Sequence, residues 1–262
     1  HHDETGGTMH FWRDLGEEAV QMIRTPIGSM NGGVYPDDVP YPPDTVVENA
    51  LRWIEHTDSP YLARISLLQP HTPVLPPARC MKRLDGQDPG LPSLEFEGLS
   101  DFERRVAEVH SLERMRADDF RAARLQYYAQ VSWVDDQVGR VLDFLEENGA
   151  MGRTILVFGS DHGNPLGETG AFAKHTFAPS VHRVPLLIAW PGTLAADQVR
   201  EDICDSLDIG PTLFALAGIE APSQFKGRNL FSDPPPDAVY STIGFGQSGS
   251  RMAPNAGKGD WH

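Results

Sequence analysis

A chain of 262 residues with 40% hydrophobic and 23% charged side chains is long enough to bury the core of one large α/β domain. That composition excludes a peptide, a disulfide scaffold and a chain disordered throughout. Its 22 basic against 37 acidic side chains leave a net charge of −15, which excludes a surface built to track nucleic-acid phosphates or anionic lipid.

An anionic substrate must therefore be held by a few local groups. Cys80 and Cys204 form neither a zinc cluster nor a disulfide framework. No stretch approaches the roughly 20 apolar residues of a membrane-spanning helix. The opening His1-His2-Asp3-Glu4 lacks both an initiator methionine and the basic-then-apolar order of a signal peptide, so the expectation is a chain processed or cut from a longer one. The compartment and the oligomeric state stay open.

The first forty residues are divided into loops by Pro26, Gly28, Gly32, Gly33 and Pro36, apart from a short helix expected over 15–24. Asp44 is expected to cap a helix carrying Val46, Val47, Ala50, Leu51, Trp53 and Ile54 at helical spacing. Residues 61–68 are short, apolar and partly β-branched, which predicts a strand ending at Gln69-Pro70-His71-Thr72-Pro73. Residues 79–117 are charged and loop-rich, with a helix expected over 101–114. From Asp118 or Asp119 to Asn148, Phe120, Leu125, Tyr128, Val131, Val134, Val138, Val141, Leu142 and Leu145 keep a helical period that Gly149 ends.

Residues 154–159 form a continuous apolar run, the pattern of a strand buried on both faces. Ser160-Asp161-His162-Gly163 follows at once. Residues 184–190 predict another strand, stopped by Pro191-Gly192, and Ser206 to Ala217 a further helix with Pro211 in its first turn. The alternation of helices and strands is that of an α/β protein. No internal repeat is visible. Residues 1–231 are read as one catalytic unit and residues 232–262, opening on a proline run, as a short extension.

In open α/β sheets the ligand site lies beyond the carboxyl ends of the strands. Two predicted strands deliver polar groups there: His71 from one, and Asp161 and His162 from the other, followed by a glycine-punctuated loop and Lys174-His175. A carboxylate, an imidazole and an ammonium are what cleavage of a tetrahedral anionic ester requires. Negative charge grows on its peripheral and leaving oxygens, where a cation and fixed positive donors favour the transition state. Asp161 offers a hard oxygen to a divalent metal, and His162 a nitrogen that suits magnesium or manganese better than calcium, or a contact to the anion. Lys174 and His71 would contact substrate oxygens, and either can hand a proton to the leaving group. The plainer readings stand beside these: Asp161 as a turn cap, Lys174 as a solvated charge, His71 as a structural residue. His10, His56, His110 and His182 sit in no motif.

Phe158-Gly159-Ser160-Asp161-His162-Gly163, then Leu166-Gly167-Glu168, Gly170, Lys174-His175-Thr176 and Arg183-Val184-Pro185-Leu186-Leu187-Ile188 through Pro191-Gly192, resembles the C-terminal half of the sulfatase family, within the alkaline-phosphatase-like superfamily. Residues 126–139, residues 207–213 and the Gln69-Pro70-His71-Thr72-Pro73 loop resemble further segments of that family, so that the likeness covers roughly 45–231. The resemblance implies an α/β fold with a mixed, mostly parallel sheet flanked by helices, incomplete in this chain. It implies that Asp161 and His162 are two ligands of a divalent metal, usually calcium in sulfatases, with magnesium or manganese as alternatives. It also implies that Lys174 and His71 contact the sulfate group, His71 near the leaving oxygen, with His175 beside them.

Two departures accompany the likeness. Ala178-Pro179 stands where the family has Tyr-Glu. No Cys/Ser-x-Pro-x-Arg is present: Cys80 is followed by Met81-Lys82-Arg83, and Asp37-Asp38 lies in a proline-rich loop. The resemblance therefore places the formylglycine nucleophile and the other metal ligands upstream. The expected activity is hydrolysis of a small sulfate ester. The alternatives are hydrolysis of a phosphonate monoester or phosphodiester, and a non-catalytic sulfatase-like binding domain.

Overall fold

The computed structural model describes residues 21–24, 31–91, 100, 101, 104, 105, 108, 116–168, 172, 174 and 177–240. The chain divides into two compact units, His1–Gln198 and Val199–His262.

In the first unit, β1 (Gln21–Arg24) and β2 (Asn31–Val34) form an antiparallel pair, with Met22 opposite Gly33. β1 takes the end of the expected 15–24 helix, whose first part lies outside the described residues. β2 falls in a stretch read as loop. Its outer side continues into the segment after His71 through parallel bridges, Gly32 to Val74 and Tyr35 to Pro77, closed by Gly33 N–H to Val74 O (3.0 Å), Tyr35 N–H to Pro76 O (2.9 Å) and Ala78 N–H to Tyr35 O (2.8 Å). Gly32 suits the close approach there, because a Cβ would lie 2.3 Å from Gln126 Oε1, so that side chain would have to move, and 3.0 Å from Val74 O. Two short helices, α1 (Asp44–Glu55) and α2 (Ala78–Lys82), flank this region; α2 was not expected.

The long helix α3 (Ala117–Glu147) starts one or two residues before the expected site and packs against α1, α2 and β2. Asp119 closes its start by accepting the Arg116 N–H at 2.9 Å. Its end is a Schellman turn: Gly149 has φ 59°, its N–H reaches Glu146 O (2.9 Å), and the Ala150 N–H reaches Leu145 O (2.7 Å). The face of α3 carrying Phe120, Ala123, Ala129 and Trp133 is buried, and Tyr35, Tyr41, Leu75 and Cys80 close over Ala129 and Trp133.

Polar groups in this core are tied to α1. The Asp44 carboxylate does not cap α1 as expected. Its Oδ1 accepts Trp133 Nε1 (2.8 Å) and Gln137 Nε2 (3.2 Å), and its Oδ2 accepts Arg79 (3.3 Å), because the buried indole and amide of α3 need an acceptor. Tyr41 OH donates to Leu75 O (3.0 Å) and accepts from Gln130 Nε2 (2.7 Å). Burial raises the Tyr41 phenol well above its ordinary value.

β3 (Leu156–Gly159) and β4 (Leu186–Ala189) pair antiparallel, Leu156 opposite Ala189 and Gly159 opposite Leu186, with the short helix α4 (Pro179–His182) between them in sequence. The expectation that 154–159 is buried on both faces fails. Val157, Phe158 and Leu187 are 36%, 39% and 58% exposed, with β3 and β4 paired only to each other among the described residues. Residues 61–68 form no strand and join no ladder, and Leu62 is exposed. A strand needs a neighbour to hydrogen-bond, and the described residues supply none there. Of the expected 101–114 helix, residues 101, 104, 105 and 108 are helical, and the remainder lies outside the described residues.

In the second unit a single 3₁₀ turn at Ser206–Asp208 leads into α5 (Ile209–Leu216). Asp208 Oδ1 accepts the Arg228 N–H (2.9 Å) and Oδ2 the Asp205 N–H (3.3 Å), which ties the helix start to the chain that returns past it. Both cysteines are free thiols. No helix among the described residues is long and apolar enough to cross a membrane.

Candidate active site

The His71 loop is fixed from both sides. A turn closes behind it, His71 N–H to Leu68 O at 3.0 Å, and the chain ahead is bridged to β2 from Val74 onward. His71 Nδ1 lies 2.7 Å from Thr72 O. A carbonyl only accepts, so Nδ1 carries the proton and Nε2 presents a lone pair. That lone pair meets Lys174 Nζ at 3.3 Å, across 103 positions of sequence. An ammonium only donates, so the pair is Lys174 N–H to His71 Nε2, and two further Lys174 hydrogens are left for an anion.

Asp161 and His162 leave the end of β3 as expected. Asp161 Oδ1 accepts the His162 N–H at 2.8 Å, and the rest of its carboxylate is open, 83% exposed. His162 repeats the device of His71: its Nδ1 lies 2.9 Å from Gly163 O, so Nδ1 donates to that carbonyl and Nε2 faces away from it, 3.5 Å from Asp161 Oδ2. A carboxylate oxygen and an imidazole lone pair at that spacing fit a shared divalent cation. They amount to two ligands, and no group of three or more ligating side chains occurs among the described residues.

Gly163 is what allows this turn. Its N–H bonds Val181 O at 2.8 Å, and a Cβ would lie 1.9 Å from Ser180 O, so any larger residue collides with the backbone of α4.

The loop from His162 to Lys174 passes over α3 and is anchored to it. Pro165, Leu166 and Gly167 are buried, and Gly167 has φ 96°, the left-handed region glycine favours. Arg124 of α3 donates through Nη1 to Glu168 Oε1 (3.1 Å) and Leu166 O (3.4 Å), and through Nη2 to Tyr128 OH (3.0 Å). Glu168 Oε2 accepts the Leu166 N–H at 2.5 Å. Phe172 is buried and stacks on Phe120 with ring centroids 5.3 Å apart.

The structure thus brings His71 to Lys174 and Asp161 to His162, while no hydrogen bond or ion pair joins one pair to the other among the described residues. His175 lies outside the described residues. Arg124 and Glu168 were missed by sequence reading. Glu168 stood inside the recognised motif, but nothing in the spacing marks its partner 44 positions earlier.

The sulfatase family model matches residues 15–219, and the chain belongs to that family. An arylsulfatase of Clostridium perfringens is 27% identical over 224 residues, which is 83% of this chain and 45% of the relative, so the chain spans about half the length of the curated relatives it matches. Among solved structures, one described in complex with its substrate D-glucosamine-2-N,6-O-disulfate superposes with a TM-score of 0.64 at 23% identity, covering 72% of this chain and 51% of that one. A phosphonate monoester hydrolase of Agrobacterium radiobacter gives a TM-score of 0.59 at 26% identity, covering 71% and 40%. The fold is accordingly the alkaline-phosphatase-like one of these neighbours, seen in part.

Proposed function

We propose that this chain contributes one half of the active site of a metal-dependent hydrolase of small sulfate esters. The observation that carries the reading is the meeting of Lys174 Nζ with His71 Nε2 at 3.3 Å, across 103 positions of sequence. In that pair the ammonium is oriented by an imidazole whose own direction is fixed by Thr72 O. Its remaining hydrogens point a positive charge at the sulfate oxygens, and the leaving oxygen takes its proton from Lys174 directly or through Nε2 of His71.

Asp161 and His162 would hold a divalent cation, which when bound supplies positive charge opposite the sulfate oxygens. Calcium is the family's usual ion, and the imidazole ligand admits magnesium or manganese. The formylglycine nucleophile belongs, by the family resemblance, to sequence upstream of these residues, and His175 is assigned to substrate binding. Residues 1–231 are taken as the catalytic part and 232–262 as an extension.

The likeness to a phosphonate monoester hydrolase at 26% identity favours a second reading, in which the same residues hold a phosphonate monoester. Turnover of aryl sulfate and of aryl phosphonate monoester by the full-length protein separates the two. Lys174→Ala is expected to lower kcat/KM for the preferred ester by about 10²–10³, the cost of removing one transition-state donor, roughly 3–4 kcal/mol. Equal turnover by the variant removes Lys174 from the mechanism, and no turnover of either ester by the full-length protein favours a binding domain.

A further inference from the structure

Resting on the hydrolase reading above, we propose that Arg124 is a positioning residue: it sets the place of Lys174 by clamping the loop that carries it, without itself touching substrate. The loop between the metal pair and the anion pair has its midpoint at Glu168, six residues after His162 and six before Lys174. That midpoint is where α3 takes hold. One guanidinium edge donates to the Glu168 carboxylate (3.1 Å) and to Leu166 O (3.4 Å), and the other nitrogen to Tyr128 OH (3.0 Å), while Glu168 turns its second oxygen back onto the Leu166 N–H. Side chain and backbone of the loop are thus fixed to one guanidinium nitrogen, while the other nitrogen, held by Tyr128, fixes the direction of the group.

Phe120, one turn earlier on α3, holds Phe172 two residues before Lys174. The same helix face therefore grips the loop at 166–168 and again at 172.

The clamp is poorly made as a device for stability. Arg124 is only 13% exposed, and its Nε is buried with no hydrogen-bond partner, which carries a desolvation penalty that a packed apolar side chain would avoid. Retaining a guanidinium there is explained by what it orients.

A double-mutant cycle on the full-length protein, read as kcat/KM with an aryl sulfate or aryl phosphonate, tests this. Arg124→Gln is expected to lower kcat/KM by about 10²-fold, the effect of a misplacement on the order of 1 Å. The same substitution made on top of Lys174→Ala is expected to change the residual rate by less than about threefold, because the residue it acts through is gone. Equal loss in both backgrounds overturns the proposal and leaves Arg124 a structural residue. Wild-type turnover by Lys174→Ala alone overturns the reading of the site instead, and the two failures are told apart by that single variant. Should Arg124→Gln not yield folded protein, Glu168→Gln, which keeps the arginine and its Tyr128 contact, enters the same cycle and is judged by the same two results.

Discussion

Gly163→Ala adds one methyl group, and the structure says where it goes. The new Cβ would sit 1.9 Å from Ser180 O and 3.0 Å from Ser180 C, both backbone atoms of α4 that no side-chain rotation can clear. Ordinary contact begins at 3.4 Å, so one side must yield by about 1.5 Å. The Gly163 backbone is not in the left-handed region, so the penalty is steric rather than conformational.

Overpacking of this kind costs about 1–3 kcal/mol in stability. Because His162 is the preceding residue and its ring is tied to Gly163 O, a shift on the order of 1 Å reaches the proposed metal ligand and lowers turnover by about 10²-fold. Thermal unfolding and kcat/KM with an aryl sulfate, measured on one preparation of the full-length protein across a divalent-cation titration, check both numbers. The matched control is Gly139→Ala in α3, where an added Cβ meets nothing within 4 Å and helix propensity predicts a gain of about 0.5–1 kcal/mol. Wild-type stability and wild-type turnover in Gly163→Ala would refute the close approach and the positioning argument drawn from it.

The Asp44 carboxylate gives a paired test of core polarity. Asp44→Ala orphans the Trp133 indole N–H and the Gln137 amide and is expected to cost about 2–4 kcal/mol. Asp44→Asn keeps an oxygen for both and loses only the half-exposed Arg79 pair, at about 1 kcal/mol or less. Urea midpoints that are equal for the two variants would contradict this. Tyr41 predicts an alkaline limit. Its folded pKa is raised by burial above the unfolded value near 10, so its contribution is fully present below about pH 10 and is lost as pH rises beyond it, at up to about 1.4 kcal/mol per pH unit. Tyr41→Phe should flatten that fall between pH 9 and pH 11 in chemical denaturation, with Tyr35 and Tyr127, also raised by burial, keeping part of it. An unchanged slope would exclude Tyr41 as the source.

What the sequence made legible is whatever repeats locally or is spelled contiguously. The apolar period from Phe120 to Leu145 and its glycine stop define α3 to within two residues at either end, because a helix satisfies its hydrogen bonds within its own segment. Asp161-His162 and Lys174 were legible as chemistry, because ligand types at a strand end are few. β2 was not, since Gly32 and Gly33 read as loop. They are a strand there because β1 on one side and the segment after His71 on the other supply ladder partners, which only the fold reveals. The burial of 154–159 was misjudged because an apolar run does not say how many strands lie beside it. Asp44 read as a cap because capping is the commonest use of an aspartate at a helix start, and its partners lie 35 to 93 positions away.

Both site imidazoles are tethered by the carbonyl of the residue that follows them, His71 by Thr72 and His162 by Gly163. A peptide oxygen has no ionisable proton and is present whatever the neighbouring side chain. The direction of each ring is therefore set by the main chain and does not depend on a neighbouring side chain that a single substitution could remove.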